Sequence, residues 1–329
     1  MVQDKALAQA VAAIPQRSER QQDLQKLVGS FVDVGILPQI RNINNQIIYG
    51  RRGTGKTHIL RVLASDLKNT SSDAVLYIDA RTLGSTSQFS DLTVPLPSRC
   101  LALFRDILGE IHNVLLDHIV TVAPANADAL LDCLNDMSAL ITEPVTTCSP
   151  EGLTTHEGTK ETNKSDSQLR VAPTAGLGVS LGDATEQTQE KERTISYTVR
   201  HEDKVIFPAL SSTLRRILEG CRSKMFVLVD EWSSLPLDVQ PYLAEFMKRA
   251  FLPLPEVVLK IASLEYRSVF RIDSDHGLVG FEVGADMSAA IDIDDYYVYD
   301  RNPARITEAF ADMLYKHVQT TAVQDRRGL

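Results

Sequence analysis

Gln46-Ile47-Ile48-Tyr49-Gly50-Arg51-Arg52-Gly53-Thr54-Gly55-Lys56-Thr57 is a short strand-like run that passes directly into a glycine-rich loop. Its last eight residues satisfy the pattern GxxxxGK[ST]. Phosphate binding needs these residue types at this spacing. Glycines let the backbone wrap around an anion so that several amides point inward. A helix starting near Lys56 adds the positive end of its dipole. A lysine at this place reaches the β- and γ-phosphates, and the following hydroxyl, here Thr57, ligates Mg²⁺. The candidate nucleotide-binding residues are therefore Gly50, Arg51, Arg52, Gly53, Thr54, Gly55, Lys56, Thr57 and, next in the chain, His58.

Working outward, Ile59, Leu60, Val62 and Leu63 carry the helical pattern that should follow the loop. Ala74–Asp79 reads as a second strand. Far downstream, Met225-Phe226-Val227-Leu228-Val229 is a continuous apolar strand that ends in Asp230-Glu231. An acidic residue emerging there would hold Mg²⁺ through water, so Asp230 joins Thr57 as a candidate metal residue. Glu231 is placed to orient or activate an attacking water. Val257–Ala262 is a further strand, and Ser263 at its end is a candidate sensor of the γ-phosphate. Glu231, Lys56 and Ser263 form the candidate catalytic set. Trp232, the single tryptophan, is expected in the core.

Apolar strands that alternate with amphipathic helices imply a mostly parallel sheet covered on both faces, an α/β three-layer domain. Its ligands bind at the carboxyl ends of the strands. Residues 1–44 read as a helical segment interrupted at Gly35 and Pro38. Residues 45–301 form the nucleotide-binding domain, and 302–329 a partial helical lid whose helix starts near Pro303. Two helices are expected between 98 and 142, broken at Pro124. The Thr-, Ser-, Glu- and Gly-rich stretch at about 145–194 reads as a loop-like polar insertion. It is followed by a hairpin of 195–199 with 205–207. A last strand is expected at 296–299.

The succession GRRGTGKT, VLVDEW and KIAS resembles the AAA+ ATPases, in particular bacterial ATPases of the origin-recognition/Cdc6-like branch. The resemblance covers roughly residues 20–320, apart from the insertion. It implies a sheet of the ASCE type, with one strand between the phosphate-loop strand and the Asp-Glu strand. It maps the Walker A lysine and threonine to Lys56 and Thr57, the Walker B pair to Asp230 and Glu231, and the first sensor to Ser263. It also implies ATP and Mg²⁺ as cofactors and side-by-side assembly into a homo-oligomer. An arginine finger would then reach the neighbouring subunit, with Arg249, Arg267 and Arg271 as the candidates. A protein partner is expected, and a nucleic-acid client is left open. The chain departs from the family in its reduced lid, where Arg301 and Arg305 only precede or open the final helix. A winged-helix segment is not expected after it.

Composition narrows the classes further. The chain has 329 residues, 43% hydrophobic and 23% charged, which is ordinary for a globular protein. A net charge of −9 disfavours non-specific binding of polyanions. Cys100, Cys133, Cys148 and Cys221 have no zinc-ligand spacing and are expected as free thiols. The histidines show no metal-ligand spacing either. No apolar run approaches the ~18 residues of a membrane span, and the start of the chain lacks a secretory pattern, so a cytoplasmic protein is expected. Asn163-Lys164-Ser165-Asp166 matches a guanine-reading pattern but sits in polar sequence upstream of Asp230, so ATP is preferred over GTP. Asp292, Asp294 and Asp295 read as a solvated loop or a helix cap. Three functions fit these residues: an ATP-driven motor or switch, a nucleotide-gated assembly module of the STAND type with slow turnover, and a P-loop phosphotransferase.

Overall fold

The computed structural model describes residues 24–84, 91–142, 145–155, 193–202, 205–274, 277–297, 307–316 and 319. By chain contacts it divides into two units, residues 144–202 and the remainder.

In the larger unit, β1 (Gln46–Tyr49), β2 (Ala74–Asp79), β5 (Met225–Asp230), β6 (Val257–Ser263) and β9 (Ser288–Asp292) form one sheet. Its order is β2-β5-β6-β1-β9, and each neighbouring pair is parallel. All residues of β5 and β6 are buried. Such strands are covered on both faces, so their sequences are apolar runs instead of alternating patterns. The insertion of β6 between β1 and β5 is the ASCE arrangement that the resemblance implies.

Successive side chains of a strand point to opposite faces, and here they feed two cores. On one face Ile47, Leu76, Ile78, Val227, Val229, Leu259 and Ile261 meet α4 (Leu96–Val122), α5 (Ala127–Thr142), α6 (Phe207–Cys221) and α7 (Gln240–Phe251). On the other, Ile48, Val75, Phe226, Leu228, Val258 and Ala262 meet α3 (Lys56–Thr70) and the short α2 (Leu37–Ile40). The break expected at Pro124 separates α4 from α5, with Ala123 in the left-handed region at φ 46°. Near the start, α1 (Leu24–Gly29) is the helix expected from its apolar spacing. Pro38 does not break a helix. It sits in the first turn of α2, where its missing N–H costs nothing.

Three local expectations differ from the structure. The polar insertion is not loop throughout: β3 (Val145–Thr155) pairs antiparallel with β4 (Arg193–Glu202), a pairing that Thr-rich sequence favours. Residues 195–199 therefore belong to a hairpin, but their partner is β3 and not 205–207. Phe207 instead opens α6, with Pro208 in its first turn. The last strand lies at Ser288–Asp292, ahead of the expected 296–299. There Ile293 N continues the pairing to Tyr49 O at 2.9 Å. The Asp292 carboxylate then accepts from Asp294 N at 2.9 Å and starts the helical turn α8 (Asp294–Tyr297). Residues 298–299, Arg301, Arg305, the Asn163–Asp166 pattern and the start of the lid helix lie outside the described residues. A helix is present at 307–316.

Lys260 is fully buried in the middle of β6. Its ammonium donates to Asn42 Oδ1 at 3.0 Å, to Asn44 O at 2.7 Å and to Gln46 Oε1, stapling the segment before β1 to the sheet. Burial pushes its pKa down from 10.5 to about 7. Between these values the unfolded chain holds a proton that the folded chain lacks, so stability rises with pH. The slope for one proton is about 1.4 kcal/mol per pH unit. Denaturant titrations from pH 7 to pH 9 should show this rise, and Lys260→Met should remove it.

Candidate functional site

The site lies at the carboxyl ends of β1, β5 and β6. Gly50 follows β1 directly, and α3 starts six residues later. Gly55 stands just before α3 at φ 91°, a conformation open to glycine and strained for other residues. Gly50 is required by space instead: a Cβ there would lie 2.7 Å from Thr54 Oγ1 and 3.3 Å from Ile293 Cβ. The loop closes on itself through Thr54 Oγ1, which donates to Arg51 O at 2.8 Å.

Lys56 is buried at the neck of this loop, and its Nζ donates to Gly50 O and Arg51 O, both at 2.8 Å. Burial lowers the pKa of the ammonium, and the nearby carboxylates of Glu231, Asp230 and Asp294 act against that shift. Thr57 beside it is also buried. Arg51, Arg52 and Gly53 are exposed at the rim. His58 turns away from the loop: its Nε2 lies 2.6 Å from Leu27 O, and its ring packs edge-on to Phe31 at 5.3 Å. Its side chain serves the contact between α1 and α3.

Asp230 is fully buried at the end of β5. Tyr77 on β2 donates its hydroxyl to Asp230 Oδ2 at 2.8 Å, and Glu231 N donates to Oδ1 at 2.9 Å. Burial and the charge of Asp230 push the Tyr77 pKa far above 10, so the hydroxyl stays a donor. Glu231 holds a left-handed backbone at φ 52° and ψ 37°, which is uncommon for a residue with a side chain. Strain of this kind clusters at functional sites. Ser263 is buried opposite Tyr49 in the sheet register, and its hydroxyl is bonded to that of Ser268. The topology thus gathers Lys56, Thr57, Asp230, Glu231 and Ser263 at one edge of the sheet.

Trp232 is core, as expected. It is fully buried and stacks on Phe270 with 5.4 Å between centroids. The three candidate fingers are all on the surface. Arg249 pairs with Glu245 Oε1 at 2.6 Å on its own helix. Arg267 lies in the turn after β6 and Arg271 opens β7 (Arg271–Ser274), the strand that pairs with β8 (Gly277–Gly280); both arginines are exposed.

Two residues of the site escaped the sequence reading. Asp294 is not solvated: it is 3% exposed, its Oδ2 accepts from Arg51 N at 3.2 Å, and it pairs with Arg51 Nε at 3.3 Å. It ties the loop to the chain that follows β9. Only Asp292 of that cluster behaves as the expected cap. Tyr77 was the other omission. Its sole sequence signal is a polar-tipped side chain two places before the end of an otherwise apolar strand.

Thr57 and Asp230 present hard oxygen donors, the chemistry that suits Mg²⁺, which takes few protein ligands and completes its shell with water and phosphate. Among the described residues no group of three or more His, Cys, Asp or Glu could cage a metal, and none is long and apolar enough as a helix to cross a membrane. Cys100, Cys133 and Cys221 are free and buried.

A family model described as ORC-CDC6-like matches residues 16–76, a segment that takes in β1, the glycine-rich loop and α3. The resemblance drawn from the motifs is thus met again over the loop. No curated protein matches. Among solved structures, the crystal structure of Cdc6p from Pyrobaculum aerophilum matches at 15% identity and a TM-score of 0.35, over 93% of this chain and 53% of that one. The chain spans about half the length of that structure, 53%.

Proposed function

We propose that this ORC-CDC6-like chain is an Mg-ATP-dependent AAA+ ATPase acting as a motor or switch on a protein partner, with a nucleic-acid client left open. One observation carries the reading: a buried lysine at the neck of a glycine loop stands in the same sheet edge as a buried aspartate and its following glutamate. In this reading the ATPase domain is 45–301, with an N-terminal segment over 1–44 before it and a lid segment over 302–329 after it.

In this reading the loop amides and the dipole of α3 hold the phosphates. Lys56 leaves the carbonyls of Gly50 and Arg51, which it satisfies in this structure, and donates to the β- and γ-phosphates. Thr57 and, through water, Asp230 would hold a magnesium ion, which would supply neutralising charge to the phosphate oxygens. Glu231 orients a water for attack on the γ-phosphorus and takes its proton. Ser263 releases Ser268 and senses the γ-phosphate. A neighbouring copy supplies the finger, from Arg249, Arg267 or Arg271.

Phosphate release from Mg-ATP, measured per subunit over a range of protein concentrations, tests this. Turnover that rises with concentration supports an oligomeric ATPase with an arginine supplied in trans. Tight ATP binding without release at any concentration would replace it by the nucleotide-gated switch. Transfer of phosphate to a small acceptor in place of water would mark a phosphotransferase.

A further inference from the structure

The Asp230 carboxylate is held on both oxygens by neutral donors, Tyr77 Oη on Oδ2 and Glu231 N on Oδ1. A carboxylate so held cannot rotate, and its remaining lone pairs point in set directions. Tyr77 is itself held. The guanidinium carbon of Arg61 lies 5.4 Å from the centre of its ring, within the range of a cation–π attraction. Arg61 follows Thr57 by four residues on α3, so the two share a helix face. The ring of Tyr77 therefore bridges the helix that carries Thr57 and the strand that carries Asp230. These are the two elements whose spacing a shared metal ion would demand. The sheet sets this geometry, because β2 is the direct neighbour of β5 and pairs Asp79 with Asp230.

We infer that Tyr77 is a positioning residue of the magnesium site, fixing the Asp230 carboxylate, and that Arg61 fixes Tyr77 through its ring. The inference rests on the reading of Thr57 and Asp230 as the metal-holding pair. Nothing about it requires Tyr77 to touch the nucleotide.

The test is ATP affinity by equilibrium dialysis, once with excess Mg²⁺ and once with EDTA, for wild type, Tyr77→Phe, Arg61→Gln, Arg61→Lys and Asp230→Asn. The quantity read is the tightening that Mg²⁺ brings. Tyr77→Phe should cut that tightening about tenfold, the effect of losing one hydrogen bond to a charged group, and leave the affinity in EDTA unchanged. Arg61→Gln should cut it less, and Arg61→Lys, which keeps a cation over the ring, should preserve it. A general loss of packing would lower both affinities together and leave their ratio alone. Melting without nucleotide identifies any variant that fails to fold; if Tyr77→Phe is one, the contrast between the two Arg61 variants decides. Full Mg²⁺ tightening in Tyr77→Phe, or in Arg61→Gln where that contrast decides, overturns the inference while Asp230→Asn still loses it. Full tightening in Asp230→Asn as well overturns the metal-site reading itself.

Discussion

Lys56→Ala is expected to lose ATP binding by about 100-fold or more, because a buried charged partner of the phosphates disappears. Removing one side of such a pair costs about 2–5 kcal/mol, and about 2.7 kcal/mol corresponds to that 100-fold. Fold stability should change little by comparison. In the nucleotide-free protein Lys56 is a buried cation whose pKa burial lowers, so its removal relieves a desolvation cost. Against that gain, Gly50 O and Arg51 O each lose a donor at 2.8 Å. The two effects oppose each other. Equilibrium binding of ATP, with thermal melting of the same samples, checks both halves. A variant that melts like wild type and binds ATP with wild-type affinity would remove Lys56 from the phosphate site.

Replacing Glu231 should separate chemistry from strain. Glu231→Gln keeps the shape of the side chain but cannot take a proton. Turnover is expected to fall by about 10³, within the usual range for loss of a general base, with ATP binding retained. Its melting temperature should match wild type, because glutamine meets the same left-handed backbone at φ 52°. Glu231→Gly should lose turnover equally and yet gain stability. Relief of a left-handed residue is worth about 1–2 kcal/mol, part of which glycine returns as unfolded-state entropy. The remainder, roughly 1 kcal/mol, corresponds to a rise of about 2 °C for a chain of this size. A site residue that destabilises the fold it serves is the known trade between stability and activity. A glycine variant that melts below wild type would show that Glu231 contributes contacts outweighing its backbone strain.

Much of the site was legible because its residues are consecutive. Gly50–Thr57 and Asp230–Glu231 carry their chemistry within a few positions, and the apolar runs beside them announce the strands that present them. Asp294 was not legible. Its role depends on β9 ending at Asp292, and the sequence Ser288–Asp292 carries small and polar residues that give weak strand signal. With the strand placed too late, the acidic cluster looked like solvated loop. His58 is the opposite case. It follows the loop directly, but a helix turns successive side chains by about 100°, and that rotation carries its ring to Leu27 and Phe31.

The residue pattern alone establishes that a glycine-rich loop joins a strand to a helix, that an Asp-Glu pair ends a buried strand, and that the sheet is parallel and covered on both faces. Those properties follow from local spacing and from apolar periodicity, which need no knowledge of distant neighbours. Which strands adjoin which is set by long-range packing. The order β2-β5-β6-β1-β9 places Tyr77 against Asp230, 153 residues away in the chain, and Asp294 against Arg51, 243 residues away. Such contacts arise because burying the apolar faces of non-adjacent strands selects one sheet order, and the polar groups at the strand ends meet as a consequence of that selection.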